Sequence, residues 1–359
     1  MIKVIHCADL HLDSPMETHM NETQASKRNT ELIQSFVRLT EYAVEQDVRA
    51  VMIAGDMFDG ERVKKRTVDE VLDAIRRTAS VDYLYLAGNH DEMANAFADH
   101  DIPDNLKMFG QEWRTYEYNG VAISGIEICE RNAESLYQEV PHKEGMANII
   151  TMHGMAGTGS GEGKINLNQL KNKGIDYLAL GHIHTYSEQA LGYKGVCCYS
   201  GCLEGRGFDE CGTKGFVLLT INEGHIWHEF VPFSCRQLHR ISVDISGLRK
   251  NSEIAEKMKQ SVQEISSEDM VEFVLTGEVD PTDNIAVSYL QDRMNGLGFF
   301  FSKVKDETHM AIDPEDYKND ISLKGEFIRL VLASDTSEEE KATMIRTGLQ
   351  ALTGEEITL

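Results

Sequence analysis

No apolar run in this 359-residue chain approaches the ~20 residues that a membrane-crossing helix needs. The opening, Met-Ile-Lys-Val-Ile-His-Cys-Ala-Asp, has too short an apolar stretch before Asp9 for a signal peptide. A cytoplasmic location is therefore expected. The seven cysteines are odd in number and contain no CxxC pair, which fits reduced thiols and excludes a disulfide scaffold. Positive charge is scarce: Lys+Arg number 35 against 59 Asp+Glu, a net of −24. A protein that tracks a nucleic-acid backbone alone carries a basic footprint. An anionic substrate here has to be drawn by a local feature, such as bound cations, or by a more basic partner. Internal repeats and low-complexity segments are absent too.

What is present is ordinary for a globular protein, with 41% hydrophobic and 26% charged residues. The length suits roughly two domains at ~150 residues each. Ile2 to Cys7 reads as a buried strand, and Leu32, Phe36, Leu39 and Ala43 mark an amphipathic helix over about 24–46. Ala50 to Ala54 and Tyr83 to Ala87 are strands, with a helix between them carrying Val68, Val71, Leu72 and Ile75. This βαβαβ rhythm predicts a layered α/β domain. Strands at 121–126, 148–152, 177–180, 196–199, 216–221 and 225–231 make the second half of the block strand-rich, as in a pair of mixed sheets. After Pro232 and Ser234 the rhythm changes. Strands at 240–245, 271–275 and 299–304 alternate with helices around Met258 and over about 284–296, which predicts a smaller α+β domain at 238–334. A tail, 335–359, carries the capping box Ser337/Glu340 and a helix at 338–353 with an Ala342, Ile345, Leu349, Leu352 stripe.

The chemistry-bearing residues fall just after predicted strands. Asp9 and His11 follow the first, Gly55-Asp56-Met57-Phe58-Asp59 the second, and Gly88-Asn89-His90-Asp91 the third. His153-Gly154 and Gly181-His182-Ile183-His184 follow two later ones. Strand ends in layered α/β folds share a rim where ligand sites form. Any one of these residues could be a helix cap or a core histidine, but packing does not explain the ordered set. Mixed Asp, His and Asn donors suit Mn²⁺, Fe²⁺ or Zn²⁺. Asp9, His11, Asp56, Asn89, His153, His182 and His184 are enough for two ions with Asp56 bridging. Two divalent ions ~3.5–4 Å apart serve in-line displacement at phosphorus.

This set resembles the calcineurin-like metallophosphoesterases, whose pattern is DxH, GDxxD, GNH(D/E), H and GHxH in that order. The likeness covers roughly residues 1–235 and implies a sandwich of two mixed β-sheets flanked by helices. It implies that Asp9, His11, Asp56 and His184 hold one metal and that Asp56, Asn89, His153 and His182 hold the other, with Mn²⁺ the first choice. It makes His90 the catalytic residue facing the scissile phosphate, with Asp59 orienting it. A metal-bridging hydroxide would attack the phosphodiester in line. Some nucleases of the family have His where this chain has Asp59.

His6 to Pro15, the loop around Ser200-Gly201-Cys202 and Gly205-Arg206-Gly207, and the smaller domain resemble the bacterial DNA-repair exonuclease group of SbcD/YhaO type. That likeness implies DNA as substrate, a capping role for 238–334, a homodimer, and an SbcC-type coiled-coil ATPase as partner. The alternative is a phosphatase or small-substrate phosphodiesterase on the same dimetal centre. Arg206 and Lys214 are candidates for charge-assisted contacts to substrate phosphates, with solvated loop charges as the other reading. The basic run Arg62, Lys64, Lys65, Arg66 reads first as a solvated helix start. The tail helix is either a docking element for the ATPase or packed on its own domain. Cys197, Cys198, Cys202 and Cys211 fit no zinc spacing and are expected as buried thiols. Trp113 and Trp227 read as packing.

Overall fold

Strands buried on both faces read as unbroken apolar runs, and four such runs lie at the centre of the two sheets in residues 1–237. The computed structural model describes all residues except 17–19, 60–62, 90, 92–96, 98–99, 160, 280–283, 311–318 and 354–359. In chain order the elements begin with β1 (Ile2–Cys7), α1 (Glu22–Glu45), β2 (Val48–Ala54), α2 (Lys65–Arg77), β3 (Asp82–Leu86) and β4 (Leu106–Met108). They continue with β5 (Arg114–Tyr118), β6 (Val121–Gly125), β7 (Ala147–His153), β8 (Met155–Gly157), β9 (Lys164–Asn166) and α3 (Leu167–Leu170). Then follow β10 (Tyr177–Gly181), β11 (Ser187–Leu191), β12 (Gly195–Tyr199), β13 (Gly215–Asn222) and β14 (His225–Pro232).

These make two six-stranded sheets, ordered β14-β13-β1-β2-β3-β4 and β11-β12-β10-β7-β6-β5. Within the first, β1 to β4 run parallel and β13 and β14 antiparallel; within the second, β6, β7, β10 and β12 run parallel between antiparallel edges. The expected sandwich of two mixed sheets is what this part of the chain forms. Val4, Met52 and Leu84 of one sheet meet Ile123, Ile149 and Ala179 of the other in a shared core. On the outer face of the first sheet, Ile5, Val51 and Tyr83 pack under Leu32, Phe36 and Leu39 of α1 and Val71 and Ile75 of α2. The outer face of the second sheet is covered more thinly, by α3 and the turns around Leu136 and Tyr137. Cys197 and Cys198 point to these two different cores, as adjacent strand residues must.

The first unit ends at Gln237 and a second spans Leu238–Leu359. The second holds β15 (Leu238–Asp244), α4 (Asn251–Gln260), β16 (Met270–Thr276), β17 (Glu278–Val279), α5 (Val287–Asn295), β18 (Phe301–Asp306), β19 (His309–Met310), α6 (Leu323–Leu332) and α7 (Glu338–Thr353). Its main sheet, β15-β16-β18, is parallel throughout. The expected α+β segment is thus a βαβαβ unit, because α4 lies between β15 and β16 and α5 between β16 and β18. Val243, Phe273 and Leu275 pack there against Ile254, Met258, Leu290 and Met294. The tail does not stand apart. Ile345 and Leu349 of α7 bury against Ile328 and Val331 of α6, and Leu352 is left exposed. The capping box forms: the Glu340 amide donates to Ser337 Oγ (3.3 Å) and the Ser337 amide to Glu340 Oε2 (3.0 Å). The side chain of Ala342, expected in the same stripe, lies outside the described residues. Among the described residues, no helix is long and apolar enough to cross a membrane.

Candidate metal centre

Parallel strands end at one rim, and the rim of both sheets carries the polar turns. The chain leaves β1 into Asp9 and His11, β2 into Asp56, and β3 into Asn89; β7 ends on His153 and β10 runs into His182 and His184. The loops are laced together by main-chain hydrogen bonds that prolong the parallel pairing. The Asp9 amide donates to Gly55 O (3.0 Å), that of His11 to Asp56 O (3.0 Å) and that of Leu12 to Met57 O (2.9 Å). The buried Asp91 carboxylate adds the third loop, accepting from the amides of Met57, Phe58 and Gly88. Asp13 caps α2 from a distance: its Oδ2 accepts the Lys64 amide (2.8 Å) while its Oδ1 accepts from Lys64 Nζ.

The backbone is bent out of its usual range to do this. Asp9 (φ 52°), His11 (φ 43°), Asp56 (φ 53°) and His182 (φ 103°) are all left-handed. Such conformations cost of order 1–3 kcal/mol each and persist where the surroundings over-determine them. Gly55 is left-handed as well (φ 94°), and a Cβ there would stand 2.1 Å from His153 Nδ1. Gly55→Ala is expected to cost roughly 2–5 kcal/mol. A thermal melt, together with the Mn²⁺ retained by the variant, checks it; an unchanged melting temperature would contradict the packing described.

Two of the imidazoles turn their donor atoms inward because each is anchored from behind. His153 Nδ1 donates to the Ala54 carbonyl (2.9 Å), leaving Nε2 toward Asn89 Oδ1 (3.0 Å) and Asp56 Oδ2 (3.4 Å). His184 Nδ1 donates to Glu210 Oε1 (2.7 Å), leaving Nε2 3.1 Å from His11 Nε2. Asp56 Oδ2 lies between the two groups, 3.8 Å from His11 Nε2. One ligand atom from each of Asp9, His11 and His184 fits within 4.8 Å, and the same holds for Asp9, Asp56 and His153. Two places therefore turn lone pairs toward one another, and a proton or a metal ion has to stand between them. The residues fit a pair of divalent cations. Asp9 accepts the His182 amide on both oxygens (2.9 and 3.1 Å), and the His182 ring stands edge-on to His153, centroids 5.4 Å apart.

Electrostatics agree. Burial pushes Asp9 up to about 6, against the pull of His153 and His184. Burial works against a charge on His153, but its hydrogen bond to Asp56 and the carboxylates of Asp56 and Asp9 lift it to about 9. The site draws positive charge. His11, buried and near Arg206, is pushed down to about 3.

Several residues differ from expectation. Lys214, a candidate phosphate contact or solvated loop charge, is buried at 3% exposure and its ammonium donates to the His184 carbonyl (2.7 Å). Arg206, a candidate likewise, spends its guanidinium on Asp59 (2.8 Å) and Glu210 (2.9 Å). Carboxylates compete for these donors more strongly than solvent does. Asp59 faces Arg206 and stands 3.9 Å from His11 Nδ1, while His90, which it was expected to orient, lies outside the described residues, as does Arg62. Lys64 pairs with Asp13 and Arg66 with Glu70 (2.7 Å), as a helix start would. Trp227 is 52% exposed on the edge strand β14, so it is not packing. Trp113 is half-buried and donates to Leu136 O. Cys197, Cys198 and Cys202 are buried thiols and Cys211 is half-buried. Glu210 was not named from sequence, and Asp91 only as the last residue of the Gly88-Asn89-His90-Asp91 run, with no role of its own. Asp91 had a signal, its place after Gly-Asn-His, whereas Glu210 had none.

Residues 2–186 match the family model described as calcineurin-like phosphoesterase. The chain is 26% identical over 241 residues to YhaO of Bacillus subtilis, named an uncharacterized metallophosphoesterase, covering 63% of this chain and 59% of that one. It is 24% identical over 333 residues to the DNA double-strand break repair protein Mre11 of Methanosarcina acetivorans, covering 88% and 52%. A protein of the same name from Saccharolobus solfataricus is 21% identical over 384 aligned positions, covering 99% and 97%. The chain thus spans 59% and 52% of the length of the first two relatives.

Proposed function

The chain belongs to the calcineurin-like phosphoesterases, hydrolases of ester bonds, and from that premise we propose that it is a dinuclear-metal phosphodiesterase that degrades DNA from its ends. The observation that carries the reading is the convergence of Asp9, His11, Asp56, His153 and His184 on the ends of parallel strands of two sheets. DNA is favoured because the likeness to proteins named for double-strand break repair runs over 88% and 99% of this chain. The net charge of −24 matters less at such a site, since the phosphate would meet cations there.

Asp9, His11, Asp56 and His184 would hold one divalent ion, and Asp56, Asn89, His153 and His182 the other. Such ions supply hydroxide near neutral pH and Lewis-acid relief of the charge on phosphorus. The protein's own work is to fix the donors. Ala54 O and Glu210 lock the tautomers of His153 and His184 so that each presents Nε2. His90 would stand beside the scissile phosphate, stabilise the transition state and help the leaving oxygen depart. The reading brings with it a homodimer and a coiled-coil ATPase of SbcC type.

The test is a substrate panel in Mn²⁺: end-labelled linear duplex DNA, closed circular duplex and para-nitrophenyl phosphate. Linear DNA is expected to shorten, the circle to survive, and His90→Ala to lose turnover by on the order of 10²–10⁴-fold, the usual weight of proton transfer, with metal content kept. Monoester turnover without any DNA cleavage would replace this reading by a phosphatase.

A further inference from the structure

Two of the imidazoles at the site, His153 and His184, are backed differently. His153 rests on a main-chain carbonyl, Ala54 O. His184 rests on a carboxylate, Glu210, which is itself buried at 6% exposure. Glu210 does not hang freely. Its Oε2 accepts the Arg206 amide (2.8 Å), and its Oε1 accepts Arg206 Nη2 (2.9 Å) and Nε (3.3 Å). Arg206 Nη1 crosses to Asp59 Oδ2 (2.8 Å), which lies 3.9 Å from His11 Nδ1. The same loop also reaches the His184 carbonyl through Lys214 Nζ (2.7 Å) and through the Cys202 amide (3.4 Å) and thiol (3.4 Å). From the other side, the fully buried Arg28 pins the Gly205 carbonyl (2.7 Å). Residues 202–214 thus form a bracket around one pair of candidate ligands, His11 and His184, whereas His153 Nδ1 is hydrogen-bonded to a main-chain carbonyl and has Asp9 Oδ1 at 3.9 Å, beyond hydrogen-bond distance.

We propose that Glu210, held in place by Arg206, is the positioning residue for His184 and selectively sets the affinity of the metal position shared by Asp9, His11 and His184. The physical reason is that a carboxylate behind an imidazole fixes both its rotation and its tautomer and makes Nε2 a better donor; losing such a partner typically weakens metal binding by about 10–100-fold. The position at Asp56 and His153 has its own anchor and is left alone. Arg206 then serves the site without meeting substrate: it neutralises the buried Glu210 and ties it to Asp59.

The inference rests on reading the site as a dinuclear centre, and the experiment separates the two. Mn²⁺ binding to chelator-stripped full-length protein is titrated by calorimetry and by electron paramagnetic resonance. Wild type is expected to bind two ions. Glu210→Ala is expected to bind one as wild type does and the other about 10–100-fold more weakly, with cleavage recovering at high Mn²⁺. Glu210→Gln, which keeps the shape and an acceptor oxygen, is expected between the two, and it stands in if Glu210→Ala fails to fold. Arg206→Met should weaken the same ion. Two ions bound by the Glu210 variants as tightly as by wild type would overturn this assignment and leave the proposed function intact. Equal weakening of both would also overturn it. A wild type that binds no Mn²⁺ would overturn the proposed function itself.

Discussion

Asp56→Asn is expected to lose both ions and nearly all cleavage. Its Oδ2 lies 3.4 Å from His153 Nε2 and 3.8 Å from His11 Nε2, so it is the carboxylate between the two groups of donors. It is buried at 1% exposure and sits on a left-handed turn, φ 53°. The asparagine is nearly the same size, so the fold should survive. What changes is charge. One negative charge is removed from the point where two cations would meet. If the ions contribute several kcal/mol to stabilising charge on phosphorus, about 4 kcal/mol lost is on the order of 10³-fold in rate. Single-turnover cleavage of end-labelled DNA and metal analysis of the same sample check it. Full activity with two ions retained would remove Asp56 from the centre.

Arg28→Ala is expected to be among the most destabilising single changes in the first unit. Arg28 is 0% exposed and pairs with Glu31 (2.7 Å), Glu204 (3.3 Å) and the Gly205 carbonyl (2.7 Å). Removing one partner from a buried ion pair leaves charge without compensation, which costs about 3–5 kcal/mol. For a unit of this size that is roughly a 6–20 °C fall in melting temperature. Arg236, on Glu31 (2.6 Å), and Ser35, on Glu204 (2.5 Å), hold part of the network and keep the loss from being total. Replacing Arg28 by Met and Glu204 by Leu together should recover part of the stability, because an apolar pair of similar volume is often neutral there. Burial tends to raise the Glu31 carboxyl, but hydrogen bonds from Arg236 and Arg28 hold it below the usual glutamate range. A carboxyl with a lowered folded-state value stabilises above that range and loses its contribution as pH falls through it. The destabilisation by Arg28→Ala should therefore shrink toward acid. A melting temperature within about 2 °C of wild type at neutral pH, less than 1 kcal/mol for a unit of this size, would contradict the account.

Arg28 also shows where sequence reading stops. An arginine near the start of an amphipathic helix reads as solvated charge; only the fold brings Glu204 and Gly205 beside it. The sheets themselves were legible because central parallel strands, covered on both faces, are unbroken apolar runs such as Ala50–Ala54 and Tyr177–Leu180. Edge strand β11, Ser-Glu-Gln-Ala-Leu, exposes four of its five residues and carries no alternation to find. Helix α6 was missed because its apolar residues include Leu323 and Leu330, which lie on the exposed side and blur the stripe. At the rim, Asp9, His11, Asp56, His153 and His184 could be picked out because each follows a strand by at most a few residues. Glu210 could not. It reaches His184 across an irregular loop from 26 positions away, and no period or motif marks it. Lys214 and Arg206 were open for a related reason: basic residues in a loop near a phosphoester site suggest substrate contacts or solvated charge, whereas here two carboxylates and a carbonyl claim them.

The most direct test of the whole account is anomalous diffraction at the manganese edge from crystals grown with Mn²⁺. The account predicts two peaks ~3.5–4 Å apart, one near His11 and His184, the other near His153, with Asp56 reaching both. A single peak, or peaks that touch neither Asp9 nor Asp56, would contradict it.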